Sequence, residues 1–325
     1  MGEFTKFAWK MKLFTDIRCE TVAAMTLSDP VCVLGSCFAD ETGERLKDAG
    51  FDVLRNPFGT LYNPASIAAA VARLDSAEPF TPEDCVEMGA GAGRICSFSH
   101  HSSFARPTAE EFLAHANERL EEDAARWHAC THVILTLGTA WVWRALALPG
   151  RPVVANCLKR PAREFAHELL SVEACASLLR GIIGAHPDKR FLLTVSPIRH
   201  LGEGAHANTI SKSTLHLAVQ QLIDSAAGRT NGAGIGFSSN CTKNNSGPSV
   251  RKTPSGGVWY FPAYEIVMDE LRDYRFYAED LVHPSPTAVR IVWERFLDAC
   301  TDPADRERIL ENERAARAAA HRPLR

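Results

Sequence analysis

Short apolar runs, each ended by glycine, serine, asparagine or proline, recur along this chain and alternate with stretches of helical periodicity. Val31-Cys-Val-Leu-Gly-Ser is the first, and the residues after it place Phe38, Leu46 and Ala49 near helical spacing. Phe51-Asp-Val-Leu-Arg-Asn is the second, closed by a turn at Asn56-Pro57-Phe58-Gly59. Helix resumes from about Asn63, where Asn followed by Pro supplies a cap and a first-position proline. A long amphipathic helix, roughly Ala109 to His128, leads into His132-Val-Ile-Leu-Thr-Leu-Gly. Arg190-Phe-Leu-Leu-Thr-Val-Ser-Pro and Val258-Trp-Tyr-Phe-Pro complete a set of five strands, and a last helix spans about Thr287 to Ala299.

Short, fully apolar strands alternating with helices predict a buried, mostly parallel five-stranded sheet in a three-layer α/β/α fold. In such sheets the loops at the carboxyl ends of the strands share one edge and build the site. Ser36, Gly59, Gly138, Arg199 and His200 all follow strands, so the fold is expected to gather them. Three stretches break the pattern. Residues 76–107 read as an excursion with short strand pieces, and residues 141–157 as a hairpin turning at Pro149-Gly150. Residues 227–257, rich in Gly, Ser and Asn, read as a flexible insertion. One domain is expected over residues 1–302, followed by a tail, 303–325, that forms a fraying surface helix.

Composition narrows the class. With 46% hydrophobic and 23% charged residues the chain can bury a core, and a net charge of −3 with mixed signs argues against nucleic-acid binding. No run of 18 apolar residues marks a membrane span, and the first dozen residues lack a leader pattern. The 10 cysteines are scattered without a CxxC pair. They read as free thiols of a reducing compartment, hence a cytoplasmic protein. Scattered His and Cys give no metal spacing, and neither a metal nor a cofactor is expected. The runs Gly89-Ala-Gly-Ala-Gly and Gly232-Ala-Gly-Ile-Gly lack the strand context and the Lys-Ser/Thr pair of a phosphate loop.

The chemistry lies in two places. Ser36 stands between an apolar strand and a helix start, where free backbone N–H groups stabilise an oxyanion; a plain N-cap serine is the competing reading. Asp280-Leu-Val-His283-Pro-Ser lies in the loop that enters the last helix. A serine hydroxyl needs a base to remove its proton, and a histidine base needs a carboxylate to hold its tautomer. Asp280, three residues before His283, supplies one from the same turn. Cys37 is a weaker nucleophile candidate. Arg199 and His200 lie where they would hold an anionic or polyhydroxylated substrate.

Gly35-Ser36-Cys37-Phe38-Ala39 resembles the motif that names the GSCFA domain family, related to the SGNH/GDSL hydrolases. The resemblance continues through residues 56–64, 136–141, 154–157, 194–200, 260–266 and 273–285, and covers roughly residues 12 to 300. It implies the SGNH-hydrolase, flavodoxin-like fold, with Ser36 as nucleophile and Asp280 and His283 completing the triad. It also implies oxyanion donors: the N–H groups of Ser36 and Gly59, and an Asn in a third block. Here that block reads Gly138-Thr139-Ala140-Trp141, so Thr139, or Asn156 from the hairpin, is the substitute. The implied activity is that of an esterase or acyl-transfer enzyme acting on small or carbohydrate esters. The alternative is a non-catalytic protein that binds a carbohydrate or a partner in the same cleft.

Overall fold

The apolar runs become the strands of one parallel sheet. The computed structural model describes residues 15–19, 24–89, 91–226 and 257–320. In chain order its elements begin with β1 (Val31–Gly35), α1 (Cys37–Asp48), β2 (Val53–Arg55), α2 (Pro64–Ser76), β3 (Val86–Glu87), β4 (Ile95–Cys96) and α3 (Ala109–Ala129). There follow β5 (His132–Leu137), β6 (Trp141–Ala145), β7 (Val153–Val154), β8 (Phe165–Leu169), α4 (Val172–Ala185), β9 (Arg190–Val195) and α5 (Ala205–Ala226). The last are β10 (Gly257–Tyr260), the single turn α6 (Ala263–Glu265), α7 (Pro286–Cys300) and α8 (Arg306–Ala320).

The central sheet has the order β10-β9-β5-β1-β2, and every neighbouring pair is parallel. Alternate residues of a strand point to opposite faces. Cys32 and Leu34 therefore pack with Ile67, Phe112, Leu179 and Leu215 of α2, α3, α4 and α5. Val31 and Val33 pack with Phe38 and Leu46 of α1 and with Val292 and Phe296 of α7. Both faces are covered, which gives the three layers anticipated from the strand composition. At the end of β1, Gly35 has φ +144°, and a Cβ there would stand 2.2 Å from the carbonyl oxygen of Thr136. Only glycine lets β1 approach β5 this closely just before Ser36.

Asn63 caps α2 as its sequence suggests, its side chain accepting from Ser66 N–H at 2.8 Å with Pro64 in the first turn. The hairpin β6–β7 is antiparallel. A third strand, β8, which the apolar pattern does not mark, pairs with the other edge of β6; its Phe-Ala-His-Glu-Leu sequence mixes charge with apolar positions because one face stays partly solvated. The excursion carries the two-residue antiparallel pair β3–β4. Nearly all of the Gly/Ser/Asn-rich insertion lies outside the described residues, which resume at Gly257. The tail is more firmly held than a fraying helix. Ile309 of α8 is buried, Asn312 Nδ2 donates to Ala49 O at 2.9 Å, and Glu313 accepts from Trp293 Nε1 at 2.6 Å. Among the described residues no helix is long and apolar enough to cross a membrane.

Candidate active site

Ser36 ends the turn between β1 and α1 and is 1% exposed. It occupies the N-cap position of α1, yet its side chain makes no capping hydrogen bond. The caps of α2, α3, α4 and α7 (Asn63, Thr108, Ser171 and Ser285) all accept from a first-turn N–H. Ser36 Oγ instead is buried without any hydrogen-bond partner. The N–H groups of Cys37 and Phe38, in the first turn of α1, donate to no described residue. An unbonded hydroxyl thus lies beside unspent donors at the positive end of a helix.

The turn after β2 holds this corner in place. Asn56 is buried with φ +38°, accepts from Gly35 N–H through Oδ1 at 2.8 Å, and donates through Nδ2 to Asp40 Oδ1 at 2.8 Å. Leu61 N–H donates to Gly35 O at 2.8 Å, so both backbone groups of Gly35 are tied to the Asn56–Asn63 segment. Tyr62 O in turn accepts from Gly138 N–H at 2.9 Å and Thr139 N–H at 2.8 Å. Asn56→Ala is expected to cost about 3 kcal/mol, because it strands a buried N–H and places alanine in the left-handed region. Denaturant midpoints would check this; a change within about 0.5 kcal/mol would mean the turn holds itself without the side chain.

Asp280 and His283 meet within one loop. Asp280 Oδ2 lies 2.7 Å from His283 Nδ1, and Asp280 Oδ1 accepts the N–H groups of His283 and Val282, each at 2.9 Å. Those bonds, the backbone N–H of His283 foremost, hold the Asp280 carboxyl down to about 2. A carboxylate in this position favours the tautomer with the proton on Nδ1 and Nε2 free. Leu281 takes φ +56° to close the turn, and Ala278 N–H donates to His283 O at 2.8 Å. Both side chains are about half exposed. His283 and Ser36 Oγ make no hydrogen bond with each other.

Arg199 packs under this loop. Its N–H donates to Val282 O at 3.4 Å, and its guanidinium lies 5.2 Å from the Tyr277 ring centre and reaches the Tyr277 hydroxyl at 3.5 Å. The side chain thus braces the Asp280–His283 turn. His200 lies against Tyr62. Its ring meets Tyr62 edge-on at 5.4 Å, and its Nε2 is buried without a partner. A Cβ placed on Gly138 would stand 3.2 Å from that Nε2 and 3.2 Å from Ser36 Cβ, which puts His200 near Ser36.

Of the other candidate donors, Gly59 N–H, Ser36 N–H and the Thr139 hydroxyl are already engaged. Gly59 N–H donates to Asn56 O at 2.7 Å and Ser36 N–H to Thr136 O at 3.2 Å. Thr139 Oγ1 pairs with Ser211 Oγ at 2.9 Å and accepts from Trp141 N–H at 3.0 Å. Asn156 Oδ1 accepts from Leu158 N–H at 2.7 Å at the end of the hairpin. Cys37 Sγ lies 3.3 Å from the Tyr62 hydroxyl.

Helix α5 supplies what the sequence pattern did not reveal. Asn208 Oδ1 accepts from His200 N–H at 2.9 Å, and Ser211 Oγ accepts from Ala140 N–H at 2.7 Å. Lys212, 2% exposed, donates through Nζ to Gly138 O at 2.6 Å and Ser196 O at 2.7 Å. Burial pushes its ammonium down to about 7. One helix face therefore clasps the loops after β5 and β9. The spacing Asn208, Lys212, His216 beside Leu215, Val219 and Leu222 is the signal that would have marked this inward polar stripe. Among the described residues no group of three or more His, Cys, Asp or Glu side chains is placed to hold a metal ion.

The model of the GSCFA family matches residues 30–296. The chain belongs to the GSCFA family. The matched span runs from the start of β1 to α7 and so includes the Ser36 corner, the α5 clasp and the Asp280–His283 loop of this GSCFA chain. No curated protein and no solved structure matches it.

Proposed function

We propose that this GSCFA-family protein is a serine hydrolase or acyl-transfer enzyme of the SGNH type that works through an acyl-Ser36 intermediate on small or carbohydrate esters. The observation that carries this reading is the state of Ser36: a serine at a helix cap that does not cap, buried and unbonded beside free N–H donors. Capping is the ordinary reason for a serine there, and it does not apply. Support comes from the Asp280–His283 pair, built as a general base held in one tautomer.

In this scheme Ser36 Oγ attacks the ester carbonyl carbon and its proton passes to His283 Nε2. The carbonyl electron pair moves onto oxygen, where donors beside α1 hold the charge. Collapse of that intermediate expels the alkoxide, which takes the proton from His283 and leaves acyl-Ser36. Water, or an acceptor alcohol, gives its proton to His283 and repeats the sequence, releasing the acyl group. Ser36 and His283 must close on each other for the first step, and the half-exposed loop at Asp280–His283 is the part able to move.

The separation of Ser36 Oγ from His283 favours a second reading, a binding protein that keeps its ligand in this cleft. A fluorophosphonate probe separates the two. Covalent labelling of the wild type, lost in Ser36→Ala, is the expected result. A folded but unlabelled wild type would select the binding protein.

A further inference from the structure

The His200 imidazole lies beside Ser36 with its Nε2 unpartnered. Its Nε2 is sealed from solvent and bonded to nothing, although leaving a buried polar atom unpaired is costly. The ring is held from two sides: the Tyr62 ring meets it edge-on at 5.4 Å, and Asn208 Oδ1 takes its backbone N–H at 2.9 Å. Nε2 and Ser36 Cβ each lie 3.2 Å from the point where a Gly138 Cβ would stand. Gly138 therefore leaves room beside both the nucleophile and this nitrogen, with Tyr62 O 3.0 Å from the same point.

We infer that His200 is a catalytic residue that donates Nε2–H to the oxyanion formed when Ser36 attacks. This rests on the acyl-Ser36 reading above. A proton-accepting role fits the surroundings less well. No carboxylate among the described residues pairs with the His200 ring, so an imidazolium would go unsteadied. Burial first, then the charges of Lys212 and His283, pushes the ring down to about 4, so it stays neutral. The positive charge of Lys212 and His283 favours a negative oxygen at Nε2, and low solvent exposure strengthens that attraction.

The test is hydrolysis of p-nitrophenyl acetate, with fluorophosphonate labelling and thermal melting in parallel, for wild type, His200→Ala, His200→Gln and Gly138→Ala. We expect His200→Ala to lose about 10²–10³ in kcat with KM little changed, as on removal of one oxyanion donor. Glutamine restores an N–H donor without restoring a base, so His200→Gln should recover at least about tenfold of that loss. Gly138→Ala fills the gap without removing a polar group and should be similarly slow, with a lowered melting temperature because its Cβ would stand 3.0 Å from Tyr62 O. Labelling of Ser36 should persist in all three, more slowly. Activity of His200→Ala within about threefold of wild type would overturn the inference and leave the Ser36 reading standing. So would His200→Gln as inactive as His200→Ala with labelling abolished in both, which would make His200 a proton carrier. A wild type that neither turns over nor labels would overturn the Ser36 reading and this inference with it.

Discussion

Ser36→Ala, His283→Ala and the double variant should all lose the same factor in kcat/KM for a small activated ester, on the order of 10⁴ to 10⁶. The equality is the informative part. Once the nucleophile is gone the base has no proton to take, and once the base is gone the buried hydroxyl stays protonated. Residues acting as one unit are therefore not additive. Neither substitution should disturb the fold. Ser36 Oγ makes no hydrogen bond, and His283 contributes only an exposed side-chain bond to Asp280, worth little to stability. Melting curves that superimpose, with turnover reduced to the same residual rate in all three, are the expected result. Losses that multiply in the double variant would mean that Ser36 and His283 act in separate steps.

Asp280→Asn should cost about 10⁴ in kcat while leaving the loop closed. The amide oxygen still accepts from the N–H groups of Val282 and His283, as the carboxylate does at 2.9 Å. What it cannot do is receive Nδ1–H with a full negative charge, so His283 loses the tautomer that makes Nε2 a base. Asp280→Ala should be equally inactive and also loosen the turn, since Leu281 holds φ +56° only against those bonds. The pH dependence follows from the sign of the shift. The Asp280 carboxyl lies below its usual 3.8, at about 2. Its stabilising effect is present above the ordinary value and is lost as pH falls through 2. Asp280 is therefore ionised throughout the neutral and mildly acidic range, and any fall in wild-type rate between pH 7 and 4 belongs to another group. Kinetics of the wild type and Asp280→Asn from pH 4 to 9 would check this. A rate limb in the wild type that disappears in Asp280→Asn with kcat otherwise preserved would assign that limb to Asp280 and remove it as a fixed orienter.

Much of this was legible in advance, for a physical reason. A parallel strand covered on both faces must be apolar throughout, so β1, β5 and β9 announce themselves, and Gly, Pro and Asn mark their ends. That pattern places Ser36 after the first strand, and the short-range Asp280–His283 geometry follows from three residues of spacing within one turn. Elements whose pattern mixes polar with apolar positions were harder to see. β8 pairs with β6 yet alternates charge with burial, and α5 carries Lys212 on its inward face.

The sequence by itself determined the layer order and which residue types stand at the strand ends, because both depend on periodicity and on local turn chemistry. Only the tertiary structure decided how those ends are held and which of them touch. Asn56 reaches back 21 positions to Gly35, Lys212 reaches 74 to Gly138, and His200 comes beside Ser36 across the gap at Gly138. Such contacts are set by strand order and by the packing of α5 over two loops. A lysine read along the chain is a solvated charge; closed under two carbonyl oxygens, it becomes part of the frame of the site.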